Sequence, residues 1–194
     1  MKQLKLHNLD QVRGIRQPAN DPRVTPRSPA TSIFTDFELH VPVTITASAK
    51  AVEVESLMQR AHVKLMLVLD TQDHFAGVIS LADLSEQRLI RAVANGVPRH
   101  EVDVEDLMQP RARLHALSYQ DLRQATVQDV VYTLRDERAQ HALVIDTETQ
   151  ELRGLVSAAD VARRLQLALP LNTVVKFTEV HAALSRQPDL LRYA

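Results

Sequence analysis

Residues 65–83, LMLVLDTQDHFAGVISLAD, and residues 141–160, HALVIDTETQELRGLVSAAD, are two versions of one segment. Each opens on a short apolar run, LMLVLD or HALVID, of the length and Val/Leu/Ile content of a buried strand. Each then has a polar turn, TQDH or TETQE, and a second apolar run, FAGVIS or LRGLVS. Each ends in Ser-x-x-Asp: Ser80 and Asp83 in the first, Ser157 and Asp160 in the second. Aligned at Asp70 and Asp146 the copies are offset by 76 residues, and one extra residue in the second turn makes the offset 77 at Gly77 and Gly154. A hairpin tip is where an insertion is accommodated at least cost.

The repetition extends upstream. Ala51, Val54, Leu57, Met58 and Ala61 precede the first copy, and Val127, Val130, Val131 and Leu134 precede the second, at the three- and four-residue spacings of one helix face. Earlier still, VPVTIT (41–46) and RLHALS (113–118) read as short strands, preceded by SIFTDF (32–37) and VEDLMQP (104–110). After the first copy, a helix from about Leu81 is expected to stop at Asn95-Gly96. A last amphipathic helix is expected from Asn172, with Val174, Phe177, Val180 and Leu184 on one side. That face must bury against the body or against a second chain. Residues 17–30, QPANDPRVTPRSPA, hold four prolines and read as an extended linker.

The Ser-x-x-Asp pairs admit two readings. At a strand-to-helix junction the motif is a capping box, the Ser oxygen accepting from an amide one turn in and the carboxylate favouring the positive helix end. Equally, free amides at a helix start suit an anion, and a carboxylate there suits the paired hydroxyls of a ribose. A Gly three residues before the Ser lets another backbone approach closely.

In order and duplication these motifs resemble a tandem pair of CBS domains, named after cystathionine β-synthase, over about residues 31–168. The residues that carry the likeness are Gly77-Val78-Ile79-Ser80-Leu81-Ala82-Asp83 and Gly154-Leu155-Val156-Ser157-Ala158-Ala159-Asp160, the Val68-Leu69-Asp70 and Val144-Ile145-Asp146 strand ends, and Thr126-Val127. The family's Thr-Val helix start is Lys50-Ala51 in the first copy, and its strand proline is missing from both. The resemblance implies an α/β (α+β) fold of two β-α-β-β-α units packed sheet to sheet about a pseudo-twofold axis. On this view residues 1–30 are a basic Pro-rich arm and linker, 31–97 the first CBS domain, 98–170 the second and 171–194 a C-terminal amphipathic helix.

The resemblance also implies clefts for an adenosine-containing ligand: AMP, ADP, ATP or S-adenosylmethionine. Asp83 and Asp160 would hold ribose hydroxyls, Ser80 and Ser157 would lie near phosphate or ribose, and Val78 and Leu155 would lie against the base. The family's phosphate-binding cation corresponds to Leu65 and His141, with Lys64 a substitute in the first copy. Because it keeps His141 and Thr126-Val127, the second copy's cleft is the one expected to bind better. Side-by-side association into a homodimer, and regulation of a separate partner, follow from the same likeness.

Composition narrows the alternatives. Gly14, Gly77, Gly96 and Gly154 are the only glycines, too dispersed for a P-loop or a dinucleotide fingerprint. No Cys occurs, and no two His stand at metal-ligand spacing, so neither a Cys-based nor a His-pair metal site is expected. Neither G-x-S-x-G nor another nucleophile–base pattern occurs, so no enzyme and no obligatory cofactor is expected. Net charge is −1, which argues against nucleic acid as a partner. Its distribution is uneven, with six Lys/Arg against two Asp in residues 1–30. No apolar run reaches membrane-span length and the N-terminus lacks a signal-peptide core, so a cytoplasmic location is expected. The competing function is a structural or protein-interaction dimer that binds no ligand, its Ser-x-x-Asp pairs serving only as helix caps.

Overall fold

The paired apolar runs form antiparallel hairpins, β3 (Leu65–Leu69) with β4 (Phe75–Ser80) and β7 (His141–Asp146) with β8 (Glu151–Ser157). Both hairpins slip register at the same point, between Val68 and Leu69 in one and between Val144 and Ile145 in the other. The repeat therefore holds in three dimensions, residue by residue. The computed structural model describes residues 23–85, 89–90, 98–169 and 174–187, together with Lys5, Leu6, Asp10 and Arg13.

β2 (Thr44–Thr46) lies parallel to β3, and β6 (Ala116–Ser118) lies parallel to β7. The fourth strand of each sheet comes from elsewhere. β1 (Phe34–Asp36) pairs with β8, and β5 (Gln109–Pro110) pairs with β4. The sheets thus read β2-β3-β4-β5 and β6-β7-β8-β1, the same order twice. Each lead-in segment completes the sheet of the other copy.

Side-chain alternation along the central strands divides the core. Met66 and Val68 point to an outer face, where Ala51, Val54 and Met58 of the Ala51–Ala61 helix cover them. Ala142 and Val144 meet Val127, Val130 and Val131 of the Val127–Thr133 helix in the same way. Leu67, Val78 and Leu143 point to the opposite faces and form a third cluster between the sheets, joined by Leu155. Leu67 and Leu143 are repeat equivalents, as are Val78 and Leu155. The interface is therefore pseudo-twofold: two β-α-β-β-α units packed sheet to sheet.

The helix starts differ as the sequence suggests. Thr126 caps the Val127–Thr133 helix and exchanges hydrogen bonds with Asp129. Lys50 offers no such cap; its ammonium bonds Asp103 at 2.7 Å instead. Residues 81–84 form turns and residues 89–90 are helical, while the expected stop at Asn95-Gly96 lies outside the described residues.

The two ends of the chain modify expectation. Within the expected linker, residues 23–30 are docked onto the second unit. Pro26 O and Ser28 O accept from Gln128 N and Val127 N, Ala30 N donates to Ala125 O, and Ala30 is buried in the second core. Proline keeps this segment out of regular structure without keeping it away from the core. The rest of the basic arm falls almost wholly outside the described residues. The C-terminal helix spans Phe177–Ser185 and buries Phe177, Val180, Ala183 and Leu184 in that same core. Its apolar face is covered by the chain's own body, so it gives no reason of its own for a second chain; Asn172 lies outside the described residues.

Candidate functional site

The two Ser-x-x-Asp motifs begin alike and end in different surroundings. Leu65 pairs with Ser80 and His141 pairs with Ser157 across their hairpins, so the motifs occupy equivalent strand ends. In the first, Ser80 N and Ser80 Oγ both donate to Asp83 Oδ2, at 2.9 and 2.5 Å. Gln109 Nε2, arriving on β5, donates to both carboxylate oxygens at 3.2 and 3.3 Å. Asp83 is only 2% exposed. In the second, Asp160 N donates to Ser157 Oγ at 3.4 Å, and the carboxylate turns outward to Arg163 at 2.7 Å, with 43% of its side chain exposed. Buried charge needs such partners, and Asp83 has them within the protein.

The glycine of each motif sits where the exchanged strand crosses. A side chain at Gly77 would run into the Gln109 carbonyl, and one at Gly154 into the Thr35 carbonyl and the Phe34 ring. Close approach of a second backbone, expected from the sequence, is what both glycines permit.

A cavity of 670 Å³ opens between the sheets. Val78, Ser80 and Asp83 line one side of it and His141 the other. His141 thus faces the Asp83 motif of the other copy, together with Leu65 and Leu143. Ser157, Asp160 and Leu155 are not among the cavity's lining residues, nor is Lys64. Lys64 instead donates charge near His141, and its carbonyl accepts from Leu81 N. Burial, reinforced by Lys64, pushes the His141 imidazole down to about 4. At neutral pH the ring is uncharged and not a cation.

The cavity's fixed positive charges are Arg113, Arg138 and Lys176, which the motif-based reading did not include. None of the three forms an ion pair among the described residues. Arg113 ends a 3-10 turn, Arg138 lies in a loop, and Lys176 precedes the last helix. They converge through tertiary packing, and no spacing in the sequence signals it. Gln109 was hidden for the same reason, reaching Asp83 only because β5 joins the first sheet. Among the described residues no cluster of His, Asp or Glu is arranged to hold a metal ion. No helix there is long and apolar enough to cross a membrane.

Comparison with known proteins agrees with this architecture. The CBS domain family model matches residues 35–89. Among solved structures, an uncharacterized conserved protein from Pyrococcus horikoshii superposes with a TM-score of 0.54 at 16% identity, covering 75% of this chain and 97% of that one. CBSX2 of Arabidopsis thaliana, solved in complex with AMP, gives 0.51 at 18% identity over 70% of this chain and 94% of its own. A CBS domain protein of Thermoplasma acidophilum gives 0.50 at 17% identity over 78% and 77%. No curated protein matches the sequence. The fold is that of a CBS-domain pair, and the CBS family match falls within the first unit.

Proposed function

We propose that this chain is a regulatory module that binds an adenosine-containing nucleotide in the cavity between its sheets and conveys occupancy to a separate partner, with no reaction catalysed. The observation that carries the reading is the 670 Å³ cavity with Val78, Ser80 and Asp83 on its wall. Its volume falls within the roughly 300–1,000 Å³ of small-molecule sites. Asp83 is the residue assigned to ribose, and the long Gln109 contacts are those a ribose diol would replace. The AMP complex of CBSX2, a pair of the same fold, supports an adenine nucleotide as the ligand class. This reading prefers the Asp83 side to the Asp160 side, whose carboxylate is turned out to Arg163. It also has the module act in the cytoplasm as a homodimer, which light scattering at micromolar concentration tests.

Titration calorimetry with AMP, ADP, ATP and S-adenosylmethionine tests the binding. Two hydrogen bonds to a charged acceptor are worth on the order of 3 kcal/mol, so Asp83→Ala is expected to weaken binding roughly a hundredfold. Asp160→Ala is expected to stay near wild type. Asp83→Asn, measured on the folded fraction, separates lost binding from lost stability. Absence of heat with every nucleotide would sink the reading.

The two hydrogen bonds that Ser80 donates to Asp83 favour a second reading, in which the motif is only a helix cap and the pair a structural or interaction module. Asp83→Ala would then cost about 0.5–2 kcal/mol of stability, and the wild type would bind no nucleotide.

A further inference from the structure

We propose that the cavity selects a di- or triphosphate, with Lys176, Arg113 and Arg138 as its phosphate-binding residues. The nucleotide reading supplies the base-and-ribose end of this ligand; the charge of the cavity supplies the other end. The three cations reach one space from separate parts of the chain: the 3-10 turn before β6, the loop before β7, and the residue preceding the C-terminal helix. Phe177 N donates to Ala139 O at 3.1 Å, which seats Lys176 beside the Arg138–Ala139 segment.

Arg113 and Arg138 are exposed and Lys176 is half-buried around this one volume, and with no ion pair among the described residues their charge is available to an entering anion. The carboxylates of the cavity cancel that charge only in part. Asp83 and Glu137 face Arg113, Arg138 and Lys176, two carboxylates against three cations, so the lining keeps a net positive charge. His141 adds no charge at neutral pH. A monophosphate offers such a set a single group to hold. A sulfonium nucleoside brings positive charge to it, so the same arrangement that attracts a polyphosphate rejects S-adenosylmethionine. Lys176 lies beyond the repeated units, and the expected ligand therefore touches the base of the last helix.

Calorimetry with adenosine, AMP, ADP, ATP, S-adenosylmethionine and inorganic tripolyphosphate tests this, on wild type and on Lys176→Met, Arg138→Gln and Arg113→Gln. These substitutions remove charge without opening the core. Affinity is expected to rise about tenfold or more from AMP to ATP, at the cost of strong salt dependence, with S-adenosylmethionine weakest. Each variant is expected to lose about fivefold or more for ATP and nothing for adenosine. Equal affinity for adenosine and ATP, or equal losses for both in the variants, would overturn the inference and leave the nucleotide reading standing. Binding of tripolyphosphate without any adenine compound would do the reverse. Binding of neither overturns both.

Discussion

Arg153 on β8 grips Asp36 on β1 with a two-pronged hydrogen bond, Nε to Oδ1 at 3.0 Å and Nη2 to Oδ2 at 2.9 Å. Both side chains are mostly buried, and the guanidinium also lies 4.5 Å from the centre of the Tyr119 ring. The pair fastens the first lead-in strand to the second unit. Arg153→Gln is expected to lower stability by about 2 kcal/mol in urea unfolding at neutral pH, mainly by leaving Asp36 without its partner. The Arg153 hydrogen bond holds the Asp36 carboxyl below the usual carboxylate range. Its stabilisation is therefore complete above the unfolded value and is lost as pH falls through the folded one. The variant should show a shallower loss of stability below about pH 4, where the unfolded carboxyl titrates.

Glycine at 154 is required by the same strand. Gly154→Ala puts a methyl against the Thr35 carbonyl and the Phe34 ring, and β1 must shift. Overpacking of this kind costs about 1–3 kcal/mol, so thermal unfolding should fall by several degrees. Gly77→Ala should act likewise on β5. An unchanged Tm in both would mean that the exchanged strands do not hold their places.

The C-terminal helix is expected to behave as core. Phe177 is fully buried, and Phe177→Ala should cost about 3–5 kcal/mol. Deleting residues 177–194 should therefore unfold the second unit, as read by circular dichroism. A folded truncated protein that merely changes oligomeric state would contradict this.

His141 gives the protein an acid-sensitive centre. Its folded value of about 4 lies below the ordinary 6.5, so the unfolded chain binds the proton more readily between those limits. Stability should fall as pH drops from 7 to 4, by up to about 3 kcal/mol from this group. His141→Gln should flatten that slope in denaturant titrations at stepped pH. An unaltered slope would refute a half-buried neutral imidazole.

Much of this architecture was legible from the hairpins. Gly77 and Gly154, the Asp70 and Asp146 strand ends and the Ser-x-x-Asp pairs are local signals, and the registers of β3–β4 and β7–β8 reproduce their alignment. The exchange of β1 and β5 was not legible. Strands of three and two residues carry too little pattern to declare a partner, and only the finished sheets choose one. For the candidate site, the motif residues of the first copy and His141 were legible, but their meeting across copies was not. His141 reads as a cation by position, whereas its charge depends on burial that only packing sets. Arg113, Arg138 and Lys176 stand at no repeated spacing, and three independent loop and helix placements bring them together.

The exchange of lead-in strands has a further consequence for how such a protein comes into being. The chain passes between the sheets from Asp36 to Thr44 and returns from Pro110 to Ala116, so each copy lends the other its outermost strand. A single copy made alone would present β4 or β8 as a bare edge, a template that recruits the same segment from its neighbour. Two such molecules trading arms rebuild this pair without a covalent link, which is domain swapping. Carrying both copies on one chain makes the exchange intramolecular, so its strength no longer depends on protein concentration.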